Sequence, residues 1–399
     1  MNITNTPLSA DKPNILNFQP ACILGLPFTT EISDTWAVIG SGVGCGPNSI
    51  KTSLGEYFER KHFYTDVVTD LENPLTHSLS MKEIKNFTKA FSQTANAPQH
   101  PTQLQKHTYK LTKVMRTSNF TECHIPTACI SLNHYGLEAD NSIYPSKDTC
   151  GCSFHWNAKE TMFGSIKECL ERQFLTRFWL TGQAIDRLEK QHIKRLMDQS
   201  SFTHLAEALS HAGELVAFDI SDRSFPGHCI ILFYGQRDES RHVKYCTGMA
   251  YSSTRKTALQ KALEELWQTY RFMHLFASCN STANTLKDPY LKHFMNCNHY
   301  ACFQEMTQTK AVLPIKNKTS HAFSLKGLLD TLKYKSIDGY FYLKPSRIEG
   351  KLCAFSKFIS PQLFMHMDNS KHINMHNDYS KHFHDFILPD RQKIMVPFP

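Results

Sequence analysis

Two stretches of the chain carry the same charge pattern at an offset of 112 residues: Ser53-Leu54-Gly55-Glu56-Tyr57-Phe58-Glu59-Arg60 and Ser165-Ile166-Lys167-Glu168-Cys169-Leu170-Glu171-Arg172. The serine, both glutamates and the arginine coincide. A third stretch, Ala262-Leu263-Glu264-Glu265-Leu266-Trp267-Gln268, is a degenerate copy in which Glu265 and Gln268 take the two acidic positions. On a helix, residues three apart share a face with their Cβ atoms about 5–6 Å apart, so each full copy sets two carboxylates side by side among apolar neighbours. Such a pair repels itself, and charge near a core is costly unless it is paired or metal-bound. Magnesium answers that need, because it is held by a few carboxylates while phosphates and waters complete its octahedron. A solvated face with intrahelical Glu–Arg pairs would explain any one copy. Three aligned copies favour a magnesium–nucleotide site, since convergent titratable clusters mark sites.

Other chemistry-bearing clusters are weaker. The run Gly40-Ser41-Gly42-Val43-Gly44-Cys45-Gly46 is neither a Gly-x-Gly-x-x-Gly fingerprint nor a Walker loop, and reads as a tight strand-to-helix turn. Cys150, Cys152 and His155 lack the second ligand pair that would close a zinc tetrahedron. His366, His372, His376, His382 and His384 read as a polar surface segment.

The elements that must position the acids follow from periodicity and breakers. A strand over 36–40 runs into the glycines, and a helix over about 49–63 follows. Residues 64–108 read as irregular and helical surface structure, and 125–132 as a strand. The loop 148–152 opens a second helix over about 159–180. Strands over 214–220, 228–234 and 242–250 lead to a third helix over about 255–276, periodicity fades across 277–318, and late strands fall at 339–343 and 352–359. These patterns give an α+β class, mixed sheets with packed helices, in one unit spanning 1–399. Its acidic-helix core covers about 36–276 and a C-terminal elaboration covers 277–399.

Composition bounds the partners. With 41% hydrophobic residues, the 399-residue chain can bury a substantial core, which excludes disorder. Lys and Arg number 44 against 36 acidic residues, for a formal charge of +8, but the excess is dispersed and argues against nucleic acid. Thirteen cysteines form an odd set, and no cationic segment followed by an apolar region opens the chain. No stretch approaches the about 18 apolar residues of a membrane span. The reading is a soluble cytoplasmic protein with reduced, mostly buried thiols.

The three acidic motifs, in this order and spanning about 38–268, resemble the YcaO family: Ser-x-x-Glu-x-x-Glu-Arg, then Glu-x-x-Glu-Arg, then Glu-x-x-Gln. More narrowly, 55–60, Asp148-Thr149-Cys150-Gly151-Cys152-Ser153-Phe154-His155 and the terminal Met395-Val396-Pro397-Phe398-Pro399 are similar to the azoline-forming cyclodehydratase subunits of thiazole/oxazole-modified microcin synthetases. The resemblance implies a YcaO-type ATP-binding fold with internal pseudo-repeats. It also implies ATP- and Mg2+-dependent cyclodehydration of Cys and Ser (Thr) in a ribosomal precursor peptide, through a phosphorylated hemiorthoamide.

Carried over by position, Glu56, Glu59, Glu168, Glu171 and Glu265 match magnesium and nucleotide acids, and Glu160 another nucleotide-site acid. Arg172 and Gln268 match the accompanying polar positions, with Arg172 stabilising phosphate. Pro397 and Pro399 match a proline-rich tail placed at the cyclisation site, which makes the Pro399 carboxylate a general-base candidate. Four positions depart from the pattern: Val43 for a common lysine, Cys150 for an asparagine, Gln173 for an aspartate, and Met395 where a third alternating proline would fall. The implied partners are a Gly/Ser/Cys-rich precursor peptide, a leader-peptide-binding subunit and an FMN-dependent azoline dehydrogenase. Alternatives are amide activation giving a thioamide or macrocyclic amidine, and a non-catalytic scaffold that presents a peptide.

Overall fold

The computed structural model describes residues 4–5, 13–18, 26–34, 39–44, 47–198, 200–279, 283–286, 289–308, 311–312 and 321–399. The chain runs β1 (Thr4–Asn5), β2 (Asn14–Phe18), β3 (Phe28–Ser33), β4 (Ile39–Gly44), α1 (Pro47–Lys61), β5 (Leu71–Asn73), α2 (Met81–Thr94), α3 (Pro101–Lys106), β6 (Tyr109–Arg116) and β7 (Glu122–Pro126). It continues α4 (Glu138–Ile143), β8 (Cys152–His155), α5 (Ala158–Thr181), β9 (Gln183–Ala184), β10 (Asp186–Leu188), α6 (Lys190–Met197), α7 (Thr203–Ala212), β11 (Glu214–Asp219), β12 (His228–Gly235) and β13 (Tyr245–Ser252). The last elements are α8 (Arg255–Ser278), α9 (Pro289–Asn296), α10 (Tyr300–Thr307), β14 (Ala311–Val312), α11 (Leu325–Tyr334), β15 (Tyr340–Ile348) and β16 (Lys351–Ile359). This is the mixed α+β class that the patterns predict. Two compact units result: Met1–Lys12 with Phe58–Leu180 and Ser324–Ile394, and Pro13–Tyr57 with Thr181–Phe323 and Met395–Pro399.

The first unit is built on a seven-stranded sheet ordered β5-β6-β15-β16-β8, with β7 on β6 and β1 on β15. Its core includes Phe63, Phe87, Phe91, Tyr109, Ile125, Tyr340 and Phe355. Residues 64–108 therefore differ from the surface reading, because α2 turns Ile84, Phe87 and Phe91 into this core. A capping box between Ser80 and Glu83 starts α2, and Glu83 also holds Arg116 Nε at 2.7 Å. Just past α1, a π-helical turn carries buried His62, which stacks on Phe355 with ring centroids 4.0 Å apart and meets the Tyr342 hydroxyl at 2.9 Å. Burial pushes the His62 imidazole pKa down, so a neutral ring anchors the end of α1.

The C-terminal His- and Asn-rich stretch departs from its surface reading as well. His376, His382 and His384 are exposed, but His366, Asn369, Asn374 and Asn377 are buried. Irregular backbone must still satisfy its polar groups, and the asparagines do this: Asn374 takes Met365 N at 3.1 Å and donates to Leu363 O at 2.7 Å. Asn369 likewise donates to Ile394 O at 2.7 Å.

The second unit has an antiparallel sheet ordered β10-β11-β12-β13 and a three-stranded sheet β2-β3-β4. The glycine run is a correction to the turn reading: Gly40, Gly42 and Gly44 lie within β4, opposite Ile32, Thr30 and Phe28. Residues 35–38 and 45–46, where the preceding strand and the last glycine were expected, lie outside the described residues. Trp267 of α8 donates from Nε1 to Pro27 O at 2.8 Å. The tail belongs to this unit, with Met395, Val396 and Phe398 buried and Pro397 O accepting from the Tyr245 hydroxyl at 2.6 Å.

Helix α8 packs on β13 at backbone range, because a Cβ built at Gly248 would overlap the backbone of Ala262 and Leu266. Gly-to-Ala changes at compatible positions stabilise by roughly 0.4–1 kcal/mol. Gly248→Ala should do the reverse and lower stability by about 1–3 kcal/mol, since helix backbone cannot rotate aside as a side chain can. Urea unfolding measures this, and an unchanged midpoint would mean that α8 retreats without cost.

Candidate functional site

Two of the three acidic motifs contribute to the first unit. Glu59 and Arg60 end α1, while Glu168, Glu171 and Arg172 occupy the middle of α5. Folding brings these five charges into electrostatic contact. Glu168 keeps part of its surface accessible, yet burial, then the Glu59 charge and the Glu171 charge, push its carboxyl well above the usual carboxylate range. Arg172 and Arg60 pull it back. Glu171 is buried, with 9% exposure.

Three carboxylates with two guanidiniums favour a cation at the acids and an anion at the arginines, since the planar guanidinium suits phosphate. Among the described residues, no three His, Cys, Asp or Glu side chains close into a metal cage. Magnesium is the cation that paired carboxylates suit, because it binds through one or two of them and completes its shell with phosphate and water. Cys150 and Cys152 are buried and His155 is exposed, and among the described residues they form no metal-ligand group. Hydrogen bonding to Cys169, then burial, pushes the Cys150 thiol up, and burial does the same at Cys152, so both remain protonated thiols.

The scaffold under α5 is specific. Gly164 lets the helix approach Ser153 on β8, where a Cβ would collide, and Ser165 meets Ser356 of β16 at 3.2 Å between hydroxyls. Gln173 grips one residue twice, donating to Phe364 O at 3.0 Å and accepting from Phe364 N at 2.8 Å. Trp179 donates to Ile394 O at 2.8 Å, and Arg391 lies over its ring, 4.5 Å from the centroid. Before α5, Asp148 Oδ1 accepts from Cys150 N at 3.0 Å and Oδ2 from Met367 N at 2.7 Å. Buried Lys357 donates to Asp148 O at 3.0 Å and stands opposite Cys152 in the β16–β8 register. Gly151 is left-handed at φ +73°, with Phe358 O close to where a Cβ would sit.

Glu160 is exposed in the first turn of α5, about 12 Å along the helix from Glu168 by rise alone. It is not among the charges that act most strongly on Glu168. In the second unit, Glu56 lies on α1, and Glu265 and Gln268 on α8, all half-buried. Glu265 Oε2 accepts from Met249 N at 3.0 Å, which orients its carboxylate against β13. Burial pushes the neighbouring Glu264 up. Pro399 is half-buried at the end of the seated tail.

Sequence reasoning missed Lys357, Gln173 as a backbone clamp, and Arg60 as a partner of Glu168. Only Arg60 had a visible signal, its coincidence with Arg172 in the repeat.

A carboxyl whose folded pKa is raised binds more protons in the native state, so its cost to stability grows as pH rises from the unfolded value through the folded one. Without metal or nucleotide, Glu168→Gln should therefore raise the melting temperature more at about pH 8 than at about pH 5. Equal gains at both pH values would remove the raised carboxyl from the account.

Residues 48–363 match the profile of the YcaO cyclodehydratases, described as ATP- and Mg2+-binding. Over 406 aligned residues, covering 100% of both sequences, the chain is 31% identical to the Microcin B17-processing protein McbD of Escherichia coli. The fold matches a chain of the E. coli microcin synthetase McbBCD complex with a TM-score of 0.86, 30% identity and 100% coverage of both chains. The same values hold for that complex with pro-MccB17 bound. YcaO from Methanopyrus kandleri, solved with AMPPCP and Mg2+, shares the fold at a TM-score of 0.55 and 11% identity, over 88% of this chain and 86% of that one. With the family profile across most of its length and a full-length relative above 30% identity, the chain belongs to the YcaO family of ATP- and Mg2+-binding cyclodehydratases.

Proposed function

We propose that this protein is the ATP-dependent cyclodehydratase subunit of a thiazole/oxazole-modified microcin synthetase, converting Cys and Ser (Thr) of a Gly/Ser/Cys-rich precursor peptide to thiazolines and oxazolines. The full-length match to a microcin-processing relative, seen in a complex with its pro-peptide, carries the reading. The charge cluster on α1 and α5 supports it from the chemistry. A leader-peptide-binding subunit delivers the substrate, and an FMN-dependent dehydrogenase oxidises the azolines.

In this reaction a peptide thiol or hydroxyl adds to the preceding backbone carbonyl, leaving a hemiorthoamide whose oxygen is a poor leaving group at neutral pH. When bound, ATP with Mg2+ supplies the phosphoryl group that lets that oxygen depart as phosphate. Phosphoryl transfer asks the protein chiefly for positioning and charge neutralisation. By family position Glu56, Glu59, Glu168, Glu171 and Glu265 would organise metal and phosphate, an ion taking one or two of these carboxylates. Arg172 would balance phosphate charge, and by family position Gln268 and Glu160 would contact the nucleotide. The Pro399 carboxylate accepts the proton of the attacking group.

The tail favours azoline formation over thioamide or amidine chemistry. Its last residues are packed, with Pro397 fixed by Tyr245. A non-catalytic scaffold would have no use for mutually repelling acids kept at the price of stability.

Purified protein with its partner subunit, ATP-Mg and precursor peptide should remove one water per ring, read by mass. Glu171→Ala and Glu56→Ala should each reduce ring formation and ATP turnover by at least about 100-fold, the scale on which removing one electrostatic contact to the reacting group acts. Full activity in both variants would dismiss the site assignment, and sulfur incorporation in place of water loss would favour the thioamide reading.

A further inference from the structure

The second unit holds a dithiol that cyclodehydration does not use. Cys297 follows the last turn of α9, and its Sγ lies 3.6 Å from His293 Nε2, one turn earlier. A tight turn ties Cys302, near the start of α10, to Cys297: His299 N donates to Cys297 O at 2.7 Å and Cys302 N to His299 O at 3.1 Å. Cys297 is 7% and Cys302 3% exposed, whereas His293 is half-buried and His299 exposed. Both thiols are thus buried.

The order His293, Cys297, His299, Cys302 has the residue types of a zinc site, but among the described residues no three of them converge as ligands. His299 is used otherwise, with Nδ1 accepting from Cys302 N at 3.0 Å to cap α10. Tyr245 also bears on Cys302, and its hydroxyl donates to Pro397 O.

The two thiols are unequal. Side-chain hydrogen bonding with Cys302, opposed by burial and joined by His293 and His299, holds the Cys297 thiol down at about 5. The same bonding, with burial and the Glu305 charge, pushes Cys302 up. A ready thiolate beside a protonated neighbour is the asymmetry of an exchanging dithiol, in which one sulfur attacks and the other resolves. Elsewhere burial pushes up Cys123, Cys129, Cys152, Cys246 and Cys353.

We propose that Cys297 and Cys302 are a redox-active pair that undergoes thiol–disulfide exchange with a small-molecule disulfide of the glutathione class. The Cys297 thiolate attacks one sulfur of the disulfide, forming a mixed disulfide and releasing one thiolate. Cys302 passes its proton to His293 or solvent and attacks Cys297 Sγ, closing the Cys297–Cys302 bond and expelling the second thiolate. Starting from the Cys297 thiolate and the Cys302 thiol, the protein loses two electrons and one proton, and the second proton that turns the two released thiolates into thiols comes from solvent.

The test treats the full-length folded protein with oxidised glutathione at about pH 6, then alkylates it and maps the tryptic peptide between Lys292 and Lys310, which contains both cysteines. The peptide should lose two hydrogens and take up no alkyl group. In Cys302→Ser the reaction should stop with one glutathione on Cys297. His293→Gln should slow exchange roughly tenfold at about pH 6 and far less at about pH 8. Exposed Cys279 is the internal reference for ordinary thiol exchange. If Cys279 is glutathionylated while the peptide remains a fully alkylatable dithiol in protein of native circular dichroism, the pair is inert and the proposal fails. An unchanged rate in His293→Gln at both pH values would equally remove the imidazole-activated thiolate.

Discussion

Repulsion among Glu59, Glu168 and Glu171 is the constraint on which the rest of the arrangement depends. Three carboxylates and two guanidiniums interact where burial already disfavours charge, and Glu168 is pushed up by burial and by its two acidic neighbours. A fold selected for stability alone would separate these acids or replace one of them. Keeping them together makes sense when a divalent cation and its phosphate ligands complete the charge balance, because a bound cation is then the largest local charge and reverses the local proton preference.

Such a cluster persists only if its helices cannot drift apart, and the surrounding contacts serve that end. The α1 terminus is held by the His62 stack on Phe355, and α5 is drawn onto β8 and β16 through Gly164 and Ser165. Gln173 and Trp179 then tie α5 to the backbone at Phe364 and Ile394. The α5 segment that carries the acids therefore also organises the chain leading to the tail. Gln173, a departure from the family's aspartate, shows why: an amide offers a donor and an acceptor to one backbone residue, which a carboxylate does not.

Much of this was legible in the sequence, because charge spacing and periodicity are local properties. The three acidic helices lie where the pattern put them, with ends shifted by a few residues, and the repeat identified Glu59, Glu168 and Glu171 before any geometry was known. Long-range packing was not legible. The glycine run became strand β4 because β3 offers it a partner, which no local rule reveals. Residues 64–108 looked polar on average, yet one face of α2 is core. The buried asparagines near the C-terminus looked like solvent-facing residues, since their backbone partners are distant or irregular. Lys357 lies inside a mostly apolar strand, and its partner, the Asp148 carbonyl, is 209 residues away.

A cation with phosphate bound at these acids should displace the proton that burial and the Glu59 and Glu171 charges favour on Glu168. Calorimetric titration of Mg-ATP into the protein at slightly acidic pH, in buffers of different ionisation enthalpy, measures the protons exchanged. Net proton release should accompany binding and be lost in Glu168→Gln. Heats independent of buffer, or the same release in that variant with binding intact, would contradict it.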